Sequence, residues 1–196
     1  MKKRTCVLTR KTSETNIKLN INLDGRGSYA INTTIPFMDH MLNLFAKHAR
    51  IDLNINARGD TDIDNHHLVE DLGIALGDAI NRALGNKQGI RRFGEASAPM
   101  DESLVTAQVD ISGRPYLVFN IRFSKSIKDS FDYGLIEDFY RAVSFNSKIT
   151  LHLNKAYGRD NHHIAESSFK AFALALAEAV SFDKKVKGMP STKGKI

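Results

Sequence analysis

The heptapeptide Asp64-Asn65-His66-His67-Leu68-Val69-Glu70 returns as Asp160-Asn161-His162-His163-Ile164-Ala165-Glu166, 96 positions later in a chain of 196 residues. The likeness extends upstream. Asp39-His40-Met41-Leu42 through Ile51-Asp52-Leu53-Asn54-Ile55 aligns with Glu137-Asp138-Phe139-Tyr140 through Ile149-Thr150-Leu151-His152-Leu153 at an offset of 98. One such string could recur by chance, but a string that recurs with its flanks at half the chain length marks a duplication. A repeat of this size implies two copies of one supersecondary plan that pool their apolar faces.

Each copy reads as strands, helix, strand, helix. Cys6-Val7-Leu8, Ile17–Ile21 and Tyr29-Ala30-Ile31 show the period-two pattern of strands, and Asp24-Gly25 with Gly27-Ser28 predicts a hairpin between the last two. A helix is expected after Pro36 with Phe37, Met41, Leu44 and Phe45 at helical spacing, followed by the strand Ile51-Leu53-Ile55. A second helix should start near Asp64 with Leu68, Leu72, Ala75, Leu76 and Ala79 on one face. In the other copy, Val105–Ile111 and Tyr116–Asn120 read as strands broken at Gly113-Arg114-Pro115, and the last helix runs from about Asn161 to Val180. The segment Gly85 to Pro99 reads as the connector. The expected organisation is one α+β domain of two repeats, about 1–90 and 95–185, with a basic tail over 186–196.

Residues four apart on a helix share a face, whereas neighbours diverge by about 100°. His66 and Glu70 are therefore placed to grip one cation together, as are His162 and Glu166, while His67 and His163 point elsewhere. The simplest arrangement using all six is a pair of equivalent sites, each taking the His/Glu pair of one repeat and the odd histidine of the other. His40 and Asp138, aligned with each other, offer further ligands. Imidazole and carboxylate without thiolate suit Mn, Fe, Co, Ni or Zn, with the carboxylates favouring harder ions. A single HHxxE could equally be a polar helix start capped by Asp64 or Asn65; its doubling favours the metal reading.

Composition narrows the classes. The lone Cys6 excludes an intrachain disulfide and a thiolate-rich zinc site, and fits a reducing cytoplasm. No apolar run is long enough to span a bilayer, and Met1–Thr5 lead into an alternating strand pattern, so neither membrane residence nor export by a signal peptide is expected. The formal net charge is +6, yet Lys184, Lys185, Lys187, Lys193 and Lys195 lie in the last thirteen residues, which hold no acid. The body is nearly neutral, which argues against a nucleic-acid partner.

Six strings, taken in order, carry a resemblance over essentially the whole length. They are Phe37–Leu42, Asp64–Asp71, Pro99-Met100-Asp101-Glu102, Asp110–Tyr116, Asn161–Ala171 and Pro190–Gly194. With these the chain resembles the imidazoleglycerol-phosphate dehydratase family. The resemblance implies a tandem duplication of a unit like domain 2 of ribosomal protein S5, a homo-oligomer of 24 subunits, and two Mn(2+) ions per subunit-equivalent in sites completed across subunit contacts. By motif, His40, His67, His162 and Glu166 would hold one ion, and His66, Glu70, Asp138 and His163 the other. Asp138 departs from the pattern, since relatives commonly have His or Glu there; the shorter Asp leaves direct ligation and a water bridge both open. The implied reaction is dehydration of D-erythro-imidazoleglycerol phosphate to imidazole acetol phosphate in histidine biosynthesis, with two metal ions binding the substrate imidazole. Glu14 would be the acid/base and a substrate contact, while Arg92, Arg114, Lys170, Ser191, Thr192 and Lys193 would bind the substrate, chiefly its phosphate. The lack of an added phosphatase unit implies a monofunctional enzyme. Two other readings differ in class, a metal-scaffolded structural or storage protein and an S5-like RNA-binding module, and a third, within enzymes, is a dinuclear hydrolase.

Overall fold

A computed structural model describes residues 3–124 and 131–196. Met1 and Lys2, part of the N-terminal reading above, lie outside them. The first half comprises β1 (Thr5–Lys11), β2 (Thr15–Asn22), β3 (Tyr29–Asn32), α1 (Pro36–Ala49), β4 (Asp52–Gly59) and α2 (His66–Leu84). The second repeats that order with β5 (Phe93–Met100), β6 (Ser103–Asp110), β7 (Tyr116–Asn120), α3 (Leu135–Ser147), β8 (Thr150–Tyr157) and α4 (Asn161–Val180). The α+β duplication read from the sequence is thus present in the fold.

The two sheets have the same strand order, β1-β2-β4-β3 and β5-β6-β8-β7. Strand β2 turns Thr15, Ile17, Leu19 and Ile21 inward and Asn16, Lys18 and Asn20 outward, as a half-covered sheet requires. Strand β4 is antiparallel to β2 and parallel to β3. Parallel neighbours need a crossover, and α1 supplies it.

This topology corrects two expectations. The turn after β2 exists, but β2 and β3 do not form a hairpin, because β4 lies between them. The Asp52 carboxylate at the start of β4 accepts the backbone N–H groups of Arg26 and Ser28, tying the turn to the inserted strand. The local glycine signal reports a reversal of direction, not a pairing partner. The connector is also shorter than expected, since Phe93–Met100 is strand β5. Its glycine, alanines and proline carry little strand propensity, yet it pairs with β6 along its full length. Gly94 is required there: a Cβ would stand 2.0 Å from the Ala175 carbonyl oxygen of α4.

The helices lie between the sheets. Helix α2 packs on α3 and α1 on α4, so each half covers the helices of the other. Phe45 of α1 stacks on Phe172 of α4 with ring centroids 5.4 Å apart. Helices α2 and α3 approach closely because Gly73 and Gly77 have no side chain; a Cβ at either would sit 2.6 Å from a carbonyl oxygen of Phe139 or Val143. Helices α1 and α3 end in left-handed caps at Arg50 and Lys148, where Ile51 and Ile149 donate back to Ala46 and Ser144. Among the described residues, no helix is long and apolar enough to cross a membrane.

Candidate metal centre

Helix α4 begins at Asp160, whose carboxylate caps the N–H groups of His162 and His163. This sets the first turn, from which His162 and Glu166 project on one face. His40 comes from the second turn of α1, whose start is fixed by Pro36 and by Asp39 accepting from the Thr33 backbone and hydroxyl. The packing of α1 on α4 brings the three together, their ligand atoms all within 4.8 Å of one another. Glu166 Oε2 lies 3.2 Å from His40 Nε2 and 3.5 Å from His162 Nε2, while its Oε1 takes Lys170 Nζ at 2.6 Å.

Glu166 is buried, its side chain only 9% exposed. Burial alone would raise its pKa, but the bonds from Lys170 and His40 outweigh that and hold the carboxyl below its ordinary range. Phe37 meets the His162 ring edge-on and stacks on Phe131, an aromatic wall that lowers the local dielectric on one side. Two imidazoles and an ionised carboxylate fit a transition-metal ion, with bonds of about 2.0–2.2 Å, after small side-chain adjustments.

The second cluster is looser. His66 Nε2 is 3.8 Å from Glu70 and its Nδ1 3.9 Å from Asp138 on α3. These three groups are all roughly half exposed, unlike Glu166. The chain therefore brings Asp138 to the His66/Glu70 pair and His40 to the His162/Glu166 pair.

The odd histidines join neither cluster within one chain. His67 Nδ1 lies 3.0 Å from Asp60 and 3.8 Å from Glu14, and His163 Nδ1 lies 2.7 Å from Glu102. The Asp60 bond raises the His67 pKa, and the Glu102 bond raises that of His163. Glu102 is itself held well below the usual carboxylate range, first by the Asp160 backbone N–H, then by His163 and the Arg159 backbone N–H. Glu14 sits in the β1–β2 turn, next to Thr15, whose hydroxyl donates to the buried Asp71 of α2. Asp71 also takes Arg10 at 2.7 Å. Asp60 and Glu102 escape a sequence reading built on helical spacing, since a strand end and a turn deliver them. The acids flanking the repeats, as in Pro99-Met100-Asp101-Glu102, were the available signal.

The substrate-binding candidates divide into two groups. Lys170 belongs to the first cluster. Arg92 is bound by Asp110 and by the Pro190 carbonyl, and its backbone N–H donates to Ala179 near the end of α4. The tail is thus docked: Lys193 N–H donates to Ser191 Oγ, and Ile196 lies against Gly113, next to the exposed Arg114. Thr192 and Lys193 are exposed beside them. At about 1.5 Å of rise per residue, the thirteen residues from Glu166 to Ala179 put this basic group roughly 20 Å from the first cluster along α4.

The fold is a duplicated α+β unit whose halves meet to converge two imidazoles on a shielded carboxylate, a donor set of the kind that could hold a metal ion. The family model for imidazoleglycerol-phosphate dehydratase matches residues 33–176. The chain is 53% identical over 186 residues to the imidazoleglycerol-phosphate dehydratase of Syntrophus aciditrophicus, covering 94% of each chain. It is 52% identical to that of Clostridium acetobutylicum, over 99% of this chain and 98% of that one. The solved imidazoleglycerol-phosphate dehydratase of Staphylococcus aureus superposes with a TM-score of 0.83 at 38% identity, covering 91% of this chain and 99% of that one. The Pyrococcus furiosus structure gives 0.83 at 34%, covering 96% and 100%. The chain belongs to the imidazoleglycerol-phosphate dehydratase family, hydro-lyases of histidine biosynthesis.

Proposed function

We propose that the protein dehydrates D-erythro-imidazoleglycerol phosphate to imidazole acetol phosphate with two Mn(2+) ions per subunit-equivalent, at sites completed between subunits of a large homo-oligomer, 24 chains by family resemblance. One observation carries this reading. Among the described residues, neither three-residue cluster gains a fourth protein ligand from its own chain, while His67 and His163 lie outside both clusters. The roughly 20 Å between the first cluster and the docked basic tail, from the helical rise, supports the same reading, because one small substrate cannot reach both from a single chain.

The reaction removes the C2 proton and the C3 hydroxyl as water, and the resulting enol becomes the C2 ketone. The C2 proton has no adjacent carbonyl to acidify it, so acid/base help of about 10²- to 10⁴-fold is too little alone. A bound cation supplies Lewis-acid polarisation and a template for the imidazole. His40, His162 and Glu166 would hold one ion with His67 of another subunit; His66, Glu70 and Asp138 would hold the other with His163. Glu14 is the group for the C2 proton, its carboxylate oxygen 3.8 Å from His67 Nδ1, a charge contact that leaves the carboxylate accessible. Arg92, Arg114, Lys170, Ser191, Thr192 and Lys193 would fix the phosphate, where guanidinium forks match its oxygens.

The test adds Mn²⁺ to metal-stripped protein with imidazoleglycerol phosphate and follows the enolisable ketone. Turnover should return with metal; turnover undiminished in the metal-free protein would refute the reading. Glu70→Gln and Glu166→Gln should each remove one ion and most activity, and either variant keeping both ions at near-full rate would sink the paired-site scheme.

A further inference from the structure

The two repeats solve one problem with different residues. In the first, the Asp60 carboxylate at the end of β4 takes His67 Nδ1 at 3.0 Å. Its other oxygen is buried without a hydrogen-bond partner among the described residues, so the side chain serves the histidine alone. Strands β4 and β8 align residue for residue, which places Gly158 where the first repeat has Asp60. No side chain fits there: a Cβ would stand 2.5 Å from Ser103 Oγ and 2.8 Å from Ile164 Cγ1.

The second repeat instead uses Glu102, which precedes β6 as Glu14 precedes β2. Glu102 Oε2 takes His163 Nδ1 at 2.7 Å, while Oε1 accepts the backbone N–H groups of Arg159 and Asp160 at 3.1 and 2.9 Å. Both odd histidines are therefore bound by a carboxylate at the same ring nitrogen, although the carboxylates come from positions that are not equivalent. Shared ancestry does not account for that agreement; a shared requirement does.

We infer that Asp60 and Glu102 are positioning residues that hold His67 and His163 as Nδ1–H tautomers, leaving each Nε2 as the lone-pair donor to a metal ion. The inference rests on the reading that these histidines are ligands. A carboxylate on the far ring nitrogen orients the imidazole and strengthens its other nitrogen as a donor. It also explains why only one of the two turn glutamates is available for proton transfer: Asp60 relieves Glu14 of the task that occupies Glu102.

The experiment measures Mn²⁺ content by mass spectrometry and Mn²⁺ affinity by chelator competition on the full chain. Asp60→Ala is the cleaner variant, since among the described residues its carboxylate hydrogen-bonds only His67, whereas Glu102→Ala also frees two backbone N–H groups and the Ser103 hydroxyl. Each should weaken one class of Mn²⁺ site about 10- to 100-fold. Asp60→Asn, which keeps one carbonyl oxygen to accept the His67 Nδ1–H, should recover most of the affinity lost in Asp60→Ala. In a His163→Ala background, Glu102→Ala should add nothing further. Wild-type affinity in Asp60→Ala and Glu102→Ala, with metal lost in His67→Ala and His163→Ala, overturns the inference and leaves the ligand reading standing. Full metal in both histidine variants overturns the ligand reading itself.

Discussion

Glu70 and Glu166 occupy the same place in the repeat, yet only Glu166 is shielded from water and bonded to a lysine. That difference follows from α4 carrying Lys170 one turn on, where α2 has Ile74. The His/Glu pairs were legible in the sequence because helical geometry fixes residues four apart. Asp60 and Glu102 were not, because the fold alone brings a strand end or a turn to a helix start. At this scale the tail also becomes testable. If Lys193 binds the phosphate as proposed, Lys193→Ala removes one charged hydrogen bond worth about 1.5–3 kcal/mol, and kcat/KM should fall roughly 10- to 150-fold with metal content unchanged. Steady-state kinetics alongside metal analysis checks this; wild-type kcat/KM means the tail does not clamp phosphate. A separate ion pair links Arg4 to Asp24, and the bond from Arg4 holds the Asp24 carboxyl below its ordinary value of 3.8. A lowered folded pKa contributes stability above the unfolded value and loses it as pH falls through the folded value. Asp24 is nearly half exposed, so Asp24→Asn should cost only about 1 kcal/mol at neutral pH. The gap from wild type should narrow below pH 3.8, as thermal unfolding at neutral and acid pH would record.

At the level of elements, period-two and helical patterns located most of the central strands and three of the four helices, since those patterns reflect one buried face; α3 was implied only by the repeat. The misreadings were both about partners. Strand β5 hid because an edge strand packed backbone-to-backbone on α4 needs Gly94 more than it needs β-branched residues. The supposed hairpin failed because β4 arrives from farther along the chain to take the place beside β2. Gly73 and Gly77 form the seam where α2 meets α3. Gly73→Ala should gain a little helix propensity and lose more to overpacking, a net destabilisation of about 1–3 kcal/mol. Urea unfolding decides the sign; an unchanged or raised midpoint would show that α3 can move aside.

On the scale of the molecule, the proposed ligands are divided between helices that meet in one chain and histidines that do not join them. Metal is therefore expected to drive assembly: stripping it should yield smaller particles, and Mn²⁺ should restore the large one. Light scattering of a rigorously metal-free sample checks this, and an unchanged particle mass would refute it. The cross-packing of α2 on α3 and α1 on α4 matters before assembly begins. During synthesis the first ninety or so residues can close their sheet, since β4 ends at Gly59, but the helical layer on it stays uncovered until the chain reaches Val180. The long-range contacts that complete the molecule are thus made last, after their loop-closure entropy has been met. Until then a nascent half presents an apolar helical surface that fits the second half of any neighbouring chain as well as its own. The duplication that gives the protein two clusters also makes exchange of halves between crowded chains its characteristic folding hazard.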